Sequence, residues 1–335
     1  VTNTGVVADT QSLVALLTDA TAQSANTQAI VDQVTSGNYA GANIDQPLAL
    51  AMLEAKERYG NKSTILEDAQ QQRLNWRSLF IRAFVLAELL EGASVAPGPP
   101  LGARVGLLLP NSTAAIIAFL ALHLHGRTPV MLNFSGGSQE LLSACDTAQV
   151  QTVCTSRAFV TLANLSAQVA ELSQRVNVLF LEDLQLKTTL PMRLRGLARA
   201  LLPARSFRNL AGPVRADDPA VILFTSGSER QPKGVVLTHR NLLANVAQAR
   251  AVFDLSPRDV ALNALPLFHA FGLTTGTLTP LLLGARVVLY PSPLHYSVIP
   301  EVAYECGATV LFGANTFLLG YGRNANPYDF FTMKA

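Results

Sequence analysis

Short apolar runs alternate with helical patterns along much of the chain, and this alternation constrains the fold more than any other feature. Strands are predicted over residues 104–109, 128–132 and 150–154, with helices over 112–125 and 138–146 between them. Short strands separated by helices are typical of βαβ units, in which the strands lie parallel. The sequence therefore predicts an α/β fold with mostly parallel sheets.

A second α/β section is predicted after Asp217. It begins with a strand over residues 220–224 and continues with a helix over 238–253, for which Thr238 is the expected N-cap. Further strands are predicted over residues 260–265, 286–290 and 309–312.

These two sections suggest how the chain is divided. We expect residues 46–212 and 213–335 to form two α/β subdomains. Residues 1–45 are rich in small polar residues and are expected to be a linker or the tail of a preceding unit. Both ends look cut, so we expect a fragment of a longer polypeptide.

Composition excludes several classes of protein. Hydrophobic residues make up 49% of the 335 residues and charged residues 14%, which allows a large core and argues against disorder. The formal net charge of +2 gives no reason to expect a nucleic-acid partner. The three cysteines have no metal-binding spacing, and free thiols in a reducing, cytoplasmic compartment are expected. No apolar run is long enough to predict a transmembrane helix.

The chemistry is concentrated in one loop. Residues 225–234 read Thr-Ser-Gly-Ser-Glu-Arg-Gln-Pro-Lys-Gly, between a predicted buried strand and a helix. Small residues let backbone N–H groups approach an anion, hydroxyls add hydrogen bonds, and Lys233 supplies a positive charge. The run is not a Walker loop, because no glycine precedes Lys233 and no Ser or Thr follows it. From the residues alone, phosphate binding and a plain surface turn both remain open.

The run resembles the phosphate-binding signature of the adenylate-forming superfamily, which includes acyl-CoA synthetases, luciferases and the adenylation domains of peptide synthetases. That signature is Ser/Thr-Ser-Gly-Ser/Thr-Thr-Gly-x-Pro-Lys-Gly, from which Glu229 and Arg230 depart. Residues 105–111 (Val-Gly-Leu-Leu-Leu-Pro-Asn) and 265–272 (Leu-Pro-Leu-Phe-His-Ala-Phe-Gly) resemble two further motifs of the family, in the same order. The resemblance covers about residues 46 to 335.

The resemblance implies a large N-terminal domain of two stacked αβαβα-type subdomains with its C-terminal part missing. It implies ATP and Mg²⁺ as cofactors, with no metal ligand in this chain, and catalytic roles for Lys233 and His269. The phosphates of ATP are expected against Thr225, Ser226, Gly227, Ser228, Glu229, Arg230, Lys233 and Gly234. The acyl pocket is expected against His269, Phe271, Gly272, Asn315 and Thr316.

Within the superfamily, the chain most resembles the acyl-ACP synthetase half of the bifunctional 2-acylglycerophosphoethanolamine acyltransferases. That likeness rests on Ser-Gly-Ser-Glu at 226–229 and on segments 155–159, 181–184, 290–296 and 326–330. It implies activation of a fatty acid and transfer to acyl carrier protein or CoA, feeding lysophospholipid reacylation. The family's Tyr-Gly-x-Thr-Glu motif and late lysine should lie downstream, so this fragment alone is expected to be inactive.

Two alternatives stay open. Arg230 and the missing motifs are compatible with a non-catalytic nucleotide- or acyl-binding protein. Residues 191–208 carry five arginines among leucines, which is typical either of a basic face on the inner-membrane surface or of an ordinary solvated helix. A cytoplasmic protein, peripheral to the inner membrane, is the corresponding expectation.

Overall fold

The structure is a computed structural model that describes residues 42–92, 103–225 and 232–334. Most of the predicted linker over residues 1–45 lies outside these ranges. The described helices are α1 Leu48–Tyr59, α2 Trp76–Gly92, α3 Thr113–Leu124, α4 Ser138–Thr147, α5 Arg157–Leu162, α6 Ser166–Leu172, α7 Leu181–Leu186, α8 Leu190–Leu201, α9 Pro203–Ala211, α10 His239–Val252, a π-helix Phe271–Leu278, α11 Thr279–Leu282, α12 Val298–Cys306 and α13 Asn315–Asn324. The described strands are β1 Thr64–Asp68, β2 Arg73–Asn75, β3 Arg104–Leu108, β4 Thr128–Met131, β5 Thr152–Thr155, β6 Asn177–Phe180, β7 Pro219–Thr225, β8 Lys233–Thr238, β9 Val260–Asn263, β10 Arg286–Leu289 and β11 Val310–Phe312.

The strands form two sheets. One has six strands in the order β6-β5-β3-β4-β7-β8, and the other has five in the order β11-β9-β10-β1-β2. In each sheet the neighbours are parallel except at one edge, where β8 runs antiparallel to β7 and β2 antiparallel to β1. The predicted α/β fold with mostly parallel sheets is confirmed.

The two sheets do not divide the chain at residue 212. Strands β7 and β8 complete the six-stranded sheet, whereas β1 and β2, from the early part of the chain, join the five-stranded sheet. Strands β1, β2, β6 and β8 were not predicted. Strand β1 ends in the buried carboxylates Glu67 and Asp68 and so lacks a simple apolar run. Strand β8 is an edge strand with mostly exposed residues, and its start lies within the run predicted as a loop.

The helix boundaries were predicted more closely than the strand pairing. Helix α3 lies within the predicted residues 112–125, and Ser112 caps it by accepting a hydrogen bond from the Ala115 N–H at 3.2 Å. Thr238 caps α10 as predicted, because its hydroxyl accepts from the Asn241 N–H at 3.1 Å and Asn241 Oδ1 accepts from the Thr238 N–H at 3.0 Å. The reciprocal pair satisfies backbone donors that a helix start would otherwise leave open.

A buried carboxylate connects the two sheets. Asp68, at the end of β1, accepts hydrogen bonds through Oδ2 from the backbone N–H (3.0 Å) and hydroxyl (2.7 Å) of Thr113, the first residue of α3. Its Oδ1 accepts from the N–H groups of Gln70 and Gln72, both at 3.1 Å. Because α3 follows β3 of the six-stranded sheet, one carboxylate joins elements of both sheets. Its negative charge also suits a helix N-terminus.

We therefore expect Asp68→Ala to lower the free energy of unfolding by about 2–4 kcal/mol, because buried donors lose their acceptor. Denaturant unfolding followed by circular dichroism measures the change. Asp254→Ala is the matched control, since Asp254 is exposed and its removal should change stability by about 0.5 kcal/mol or less. Equal stability of the two variants would show that Asp68 does not join the sheets.

Two histidines lie buried at the edge of the six-stranded sheet where the parallel strands β4 and β7 begin. The rings of His123 and His239 have centroids 5.2 Å apart and line a cavity of about 110 Å³ together with Arg127 and Asp218. His239 Nδ1 accepts a hydrogen bond from the Leu48 N–H at 3.1 Å. Burial lowers the pKa of His239 to about 4, and burial also lowers the pKa of His123 well below its ordinary value. Both rings are therefore neutral at pH 7.

A histidine that stays neutral when folded destabilises the folded state in acid. Above pH 6.5 the neutral histidine costs the folded state nothing relative to the unfolded one. As the pH falls below 6.5, the free energy of unfolding decreases, because the unfolded chain binds a proton that the folded chain excludes. With a folded pKa of about 4 for His239, unfolding free energy should fall by roughly 3 kcal/mol between pH 7 and pH 4 from this group. His239→Gln should flatten that slope. Comparison at pH 8 isolates the packing cost of the substitution, and an unchanged slope would contradict the expectation.

Candidate active site

The described ends of the predicted phosphate loop lie side by side. Strand β7 ends at Thr225 and β8 begins at Lys233, and these two residues are register partners across the antiparallel pair, as are Phe224 and Gly234. The segment between them thus connects the two strands of a hairpin at the carboxyl end of β7. The other predicted phosphate-binding residues lie outside the described residues: Ser226, Gly227, Ser228, Glu229 and Arg230.

The carboxyl ends of β3, β4 and β7 lie at one edge of the six-stranded sheet, since these strands are parallel neighbours. Open α/β sheets bind ligands outside this edge. Thr225, Lys233 and Gly234 are exposed there, which leaves them accessible to a ligand.

The predicted His269 motif forms the connection between β9 and the π-helix, residues 264–270, called here the histidine loop. Asn111, which follows β3, donates from Nδ2 to the Leu265 carbonyl at 2.7 Å and accepts through Oδ1 from the Leu267 N–H at 3.0 Å. Asn263, the last residue of β9, accepts through Oδ1 from the Leu265 N–H at 3.0 Å and donates to the Gly272 carbonyl at 2.9 Å. The buried amide of Asn111 therefore holds the histidine loop against the six-stranded sheet, and that of Asn263 ties the loop to the end of its own strand and to the π-helix.

Aromatic contacts set the position of His269. Phe134, which follows β4, packs edge-on against Phe268 with ring centroids 5.0 Å apart, and the Phe268 and His269 rings are 4.7 Å apart. Strand β4 is the neighbour of β7, which ends at Thr225. His269 is largely exposed, yet the atoms packed against it displace water and lower the pKa of its ring. A neutral imidazole offers one donor and one acceptor.

Phe271, which was predicted to line the acyl pocket, lies close to the strand that leads to the other predicted pocket residues, Asn315 and Thr316. It is 39% exposed, and its ring lies 6.1 Å from that of Phe312 at the end of β11. The chain continues from Phe312 into α13, which begins with the exposed residues Asn315 and Thr316. The predicted pocket residues thus lie at the carboxyl ends of two neighbouring strands, β9 and β11. The cavities of about 110 Å³ and about 160 Å³ are both lined by other residues.

Gly272 has no room for a side chain. A Cβ at this position would lie 2.3 Å from the Pro266 carbonyl oxygen and 2.6 Å from that of Leu265. Gly276 is similar, because its Cβ would lie 2.6 Å from the Asn263 side chain. These close approaches belong to the π-helix, which the sequence did not predict; such helices are frequent at functional sites.

Sequence reasoning gave no role to three residues that shape the site: Asn111, Phe134 and Asn263. Asn111 is the last residue of the family-like motif at residues 105–111, and Asn263 is a polar residue within a predicted apolar strand. A buried amide usually has hydrogen-bond partners, so each was a signal of a specific contact. Nothing in the sequence identified the partners; those of Asn111 lie 154 and 156 residues away along the chain.

Among residues 42–92, 103–225 and 232–334, no group of three or more His, Cys, Asp or Glu side chains is placed to hold a metal ion. Within the same residues, no helix is long and apolar enough to cross a membrane.

We expect Gly272→Ala to lower unfolding free energy by about 1–3 kcal/mol, since the methyl group would push apart two backbone segments. Gly322→Ala is the matched control. It lies in α13 with nothing within 4 Å of the added atom, and alanine favours helix by up to about 1 kcal/mol. Thermal and denaturant unfolding measure both changes. An unchanged free energy of unfolding in Gly272→Ala would mean that the histidine loop tolerates displacement.

Comparison with known proteins agrees with this architecture. A family model described as AMP-binding enzyme matches residues 53–330. Feruloyl-CoA synthase of Amycolatopsis sp. is 32% identical over 244 residues, covering 72% of this chain and 44% of that protein. The long-chain-fatty-acid–AMP ligase FadD26 of Mycobacterium marinum is 30% identical over 233 residues, covering 67% and 36%. The medium-chain fatty-acid–CoA ligase of Escherichia coli is 48% identical over 73 residues, covering 22% and 13%.

Solved structures show the same fold. O-succinylbenzoate coenzyme A synthetase from Bacillus subtilis, in complex with AMP, aligns with a TM-score of 0.65 at 21% identity and covers 85% of this chain and 66% of that one. The N-terminal domain of FACL13 from Mycobacterium tuberculosis gives 0.66 at 19% identity, covering 87% and 67%. The chain spans less than half the length of the curated relatives named above. With a family match over most of its length, the chain belongs to the AMP-binding enzymes, within the adenylate-forming acyl-CoA and fatty-acid ligases, and has the fold of their N-terminal domain.

Proposed function

We propose that the full-length protein activates a fatty acid with ATP to an acyl-adenylate and then transfers the acyl group to a phosphopantetheine thiol. The supporting observation is the contact between Phe134 and Phe268. It holds the histidine loop beside the end of β4, the strand next to β7, and so brings the acyl-side residues toward the strand end that bears Thr225.

In the first half-reaction a carboxylate oxygen of the fatty acid attacks the α-phosphorus of ATP. The bond from that phosphorus to the oxygen bridging to the β-phosphate breaks, and pyrophosphate leaves with the electron pair. Negative charge moves onto the leaving group as this happens. The ammonium of Lys233 and the hydroxyl of Thr225 suit phosphate oxygens, and fixed groups of this kind stabilise charge that develops in a transition state.

Mg²⁺ would enter with the nucleotide, bound to its phosphate oxygens, and would offset part of their charge. The described residues offer no cluster of ligands for it. The chain's own contribution is therefore Thr225 and Lys233, together with the predicted contacts of residues 226–230.

His269 and Phe271 are proposed to hold the acid. A neutral imidazole at His269 can donate a hydrogen bond to a carboxylate without a strong ion pair that would fix the ground state. Phe271 and Phe312 offer an apolar surface to the first carbons of the acyl chain, with Asn315 and Thr316 beside them.

The acceptor thiol is proposed to belong to acyl carrier protein or CoA. Relatives include ligases named for CoA and for AMP, whereas acyl carrier protein and a role in lysophospholipid reacylation rest on the Ser-Gly-Ser-Glu likeness at 226–229. We place the protein in the cytoplasm at the inner-membrane surface, where its substrate partitions.

The test is exchange of labelled pyrophosphate into ATP by the full-length protein, dependent on a medium- or long-chain fatty acid. Lys233→Ala should lower exchange by about 10²–10³-fold, because one charge that stabilises the phosphates is lost. Lys62→Ala, at an exposed lysine before β1, should leave the rate unchanged. Absence of exchange with every such acid would refute the proposal.

A non-catalytic nucleotide-binding protein is the second candidate, motivated by Arg230 in place of the family's glycine. It predicts that a fluorescent ATP analogue binds the full-length protein while exchange stays at background. Arg230→Gly then offers a direct comparison, since restored exchange would assign the defect to that residue.

A further inference from the structure

Helix α8 carries an apolar face that nothing in the described chain covers. Leu190, Leu194, Leu197 and Leu201 follow one another at spacings of four, three and four residues, which places them on one side of a helix. They are 69%, 56%, 37% and 70% exposed. These four residues form the leucine face; Leu186, the last residue of α7, and Leu202, directly after α8, are also exposed, at 86% and 61%.

The orientation of α8 is fixed by its opposite side. Gly196 is buried against α2, where a Cβ would lie 2.3 Å from Val85 Cγ2. Arg195 and Arg199 reach the nearly buried carboxylate of Glu88 on α2 at 3.2 and 2.8 Å. Because a glycine contact and two ion pairs hold the helix on this side, the leucines are held outward. An ordinary solvated helix, the alternative that the sequence left open, would point its leucines toward the core.

The segment of the sequence that carries the leucine face contains charged residues of one sign. No Asp or Glu occurs between Asp183 and Asp217, whereas that stretch contains Lys187 and five arginines before Ala211. Glu88 pairs with both Arg195 and Arg199, and its single negative charge offsets one of the two. The structure shows no ion pair within its described residues for the other three, Arg193, Arg205 and Arg208, which are exposed. An apolar stripe on a segment whose charged residues are all positive complements a surface that is apolar inside and anionic outside.

We infer that the leucine face docks the protein onto an anionic lipid surface, with the leucines at the boundary of headgroups and acyl chains and the arginines among lipid phosphates. The helix lies on the surface and does not cross it. The inference rests on the proposed function in one respect: a fatty acid is a substrate that a bilayer supplies. The leucine face is the surface that contacts the lipid, and Arg193, Arg205 and Arg208 are the residues that select anionic headgroups.

The experiment is vesicle flotation of the full-length protein, which requires no catalysis. Vesicles contain phosphatidylcholine alone or phosphatidylcholine with phosphatidylglycerol. We expect the protein to float with the anionic vesicles and much less with the neutral ones. Leu194→Ser/Leu201→Ser should reduce the partition coefficient at least about tenfold, because two apolar side chains no longer enter the boundary.

The charge and control variants separate the contributions. Arg193→Gln/Arg205→Gln/Arg208→Gln should abolish the preference for phosphatidylglycerol and the sensitivity of flotation to salt. Leu162→Ser/Leu294→Ser, at positions 76% and 62% exposed elsewhere, should behave as the unchanged protein. All variants are exposed-site changes, and circular dichroism checks that they fold.

Three results would overturn the inference: no flotation with either vesicle, equal losses in the control and leucine-face variants, or a concentration-dependent self-association that disappears in the leucine-face variant without vesicle binding. The last would assign the face to a second copy of the chain. Pyrophosphate exchange with a water-soluble medium-chain acid is measured in parallel. Flotation without exchange would overturn the proposed reaction alone, and exchange without flotation would overturn the docking alone.

Discussion

The turn at the carboxyl end of β3, residues 109–113, is the point on which the arrangement of the two sheets depends. Its Asn111 holds the histidine loop of the five-stranded sheet, and its Thr113 donates twice to Asp68 at the end of β1. Its Ser112 caps α3. Buried polar groups are costly unless they are fully hydrogen-bonded. The two sheets can therefore pack in only the arrangement that satisfies these partners together.

This turn also places the site. The same contacts that join the sheets bring the end of β9, with His269 after it, to the edge where β3, β4 and β7 end. Phe134 and Phe268 pack against each other between the end of β4 and the histidine loop, so the loop has little freedom to move. A site that must align an acid with a phosphate gains from such fixed positions, because a small displacement lowers the fraction of productive encounters. The residues that join the sheets and the proposed site residues are thus coupled through a few hydrogen bonds.

The surface adds a second level of organisation. Helix α8 is attached to the body through Gly196 and Glu88, and its leucines point away from the core that they would ordinarily join. The protein keeps an apolar stripe in water at a cost that only a partner surface would offset. The docking inferred for this face would hold the protein where the fatty acid of the proposed reaction is concentrated.

Much of the local structure was predictable. The limits of α3, the cap Thr238 and the α/β class all follow from short-range patterns, because periodicity and capping act over a few residues. The family was recognisable from residues 225–234 and 265–272, since a loop that binds phosphate needs particular residue types in a fixed order. The sequence also named Thr225 and Lys233, which the structure places at the ends of β7 and β8, and His269 and Phe271, which lie in the histidine loop and at the start of the π-helix.

What the sequence determined by itself, then, is the α/β class, the strands that are simple apolar runs, several helices with their limits, and the chemical family. Only the tertiary structure decided that β1 pairs with β10 and β7 with β4, that Asn111 reaches Leu265, and that the leucines of α8 face outward. Each of these is a contact between residues far apart in the chain. Such contacts are selected by the joint burial of apolar faces and the satisfaction of buried polar groups, and no local pattern specifies both partners.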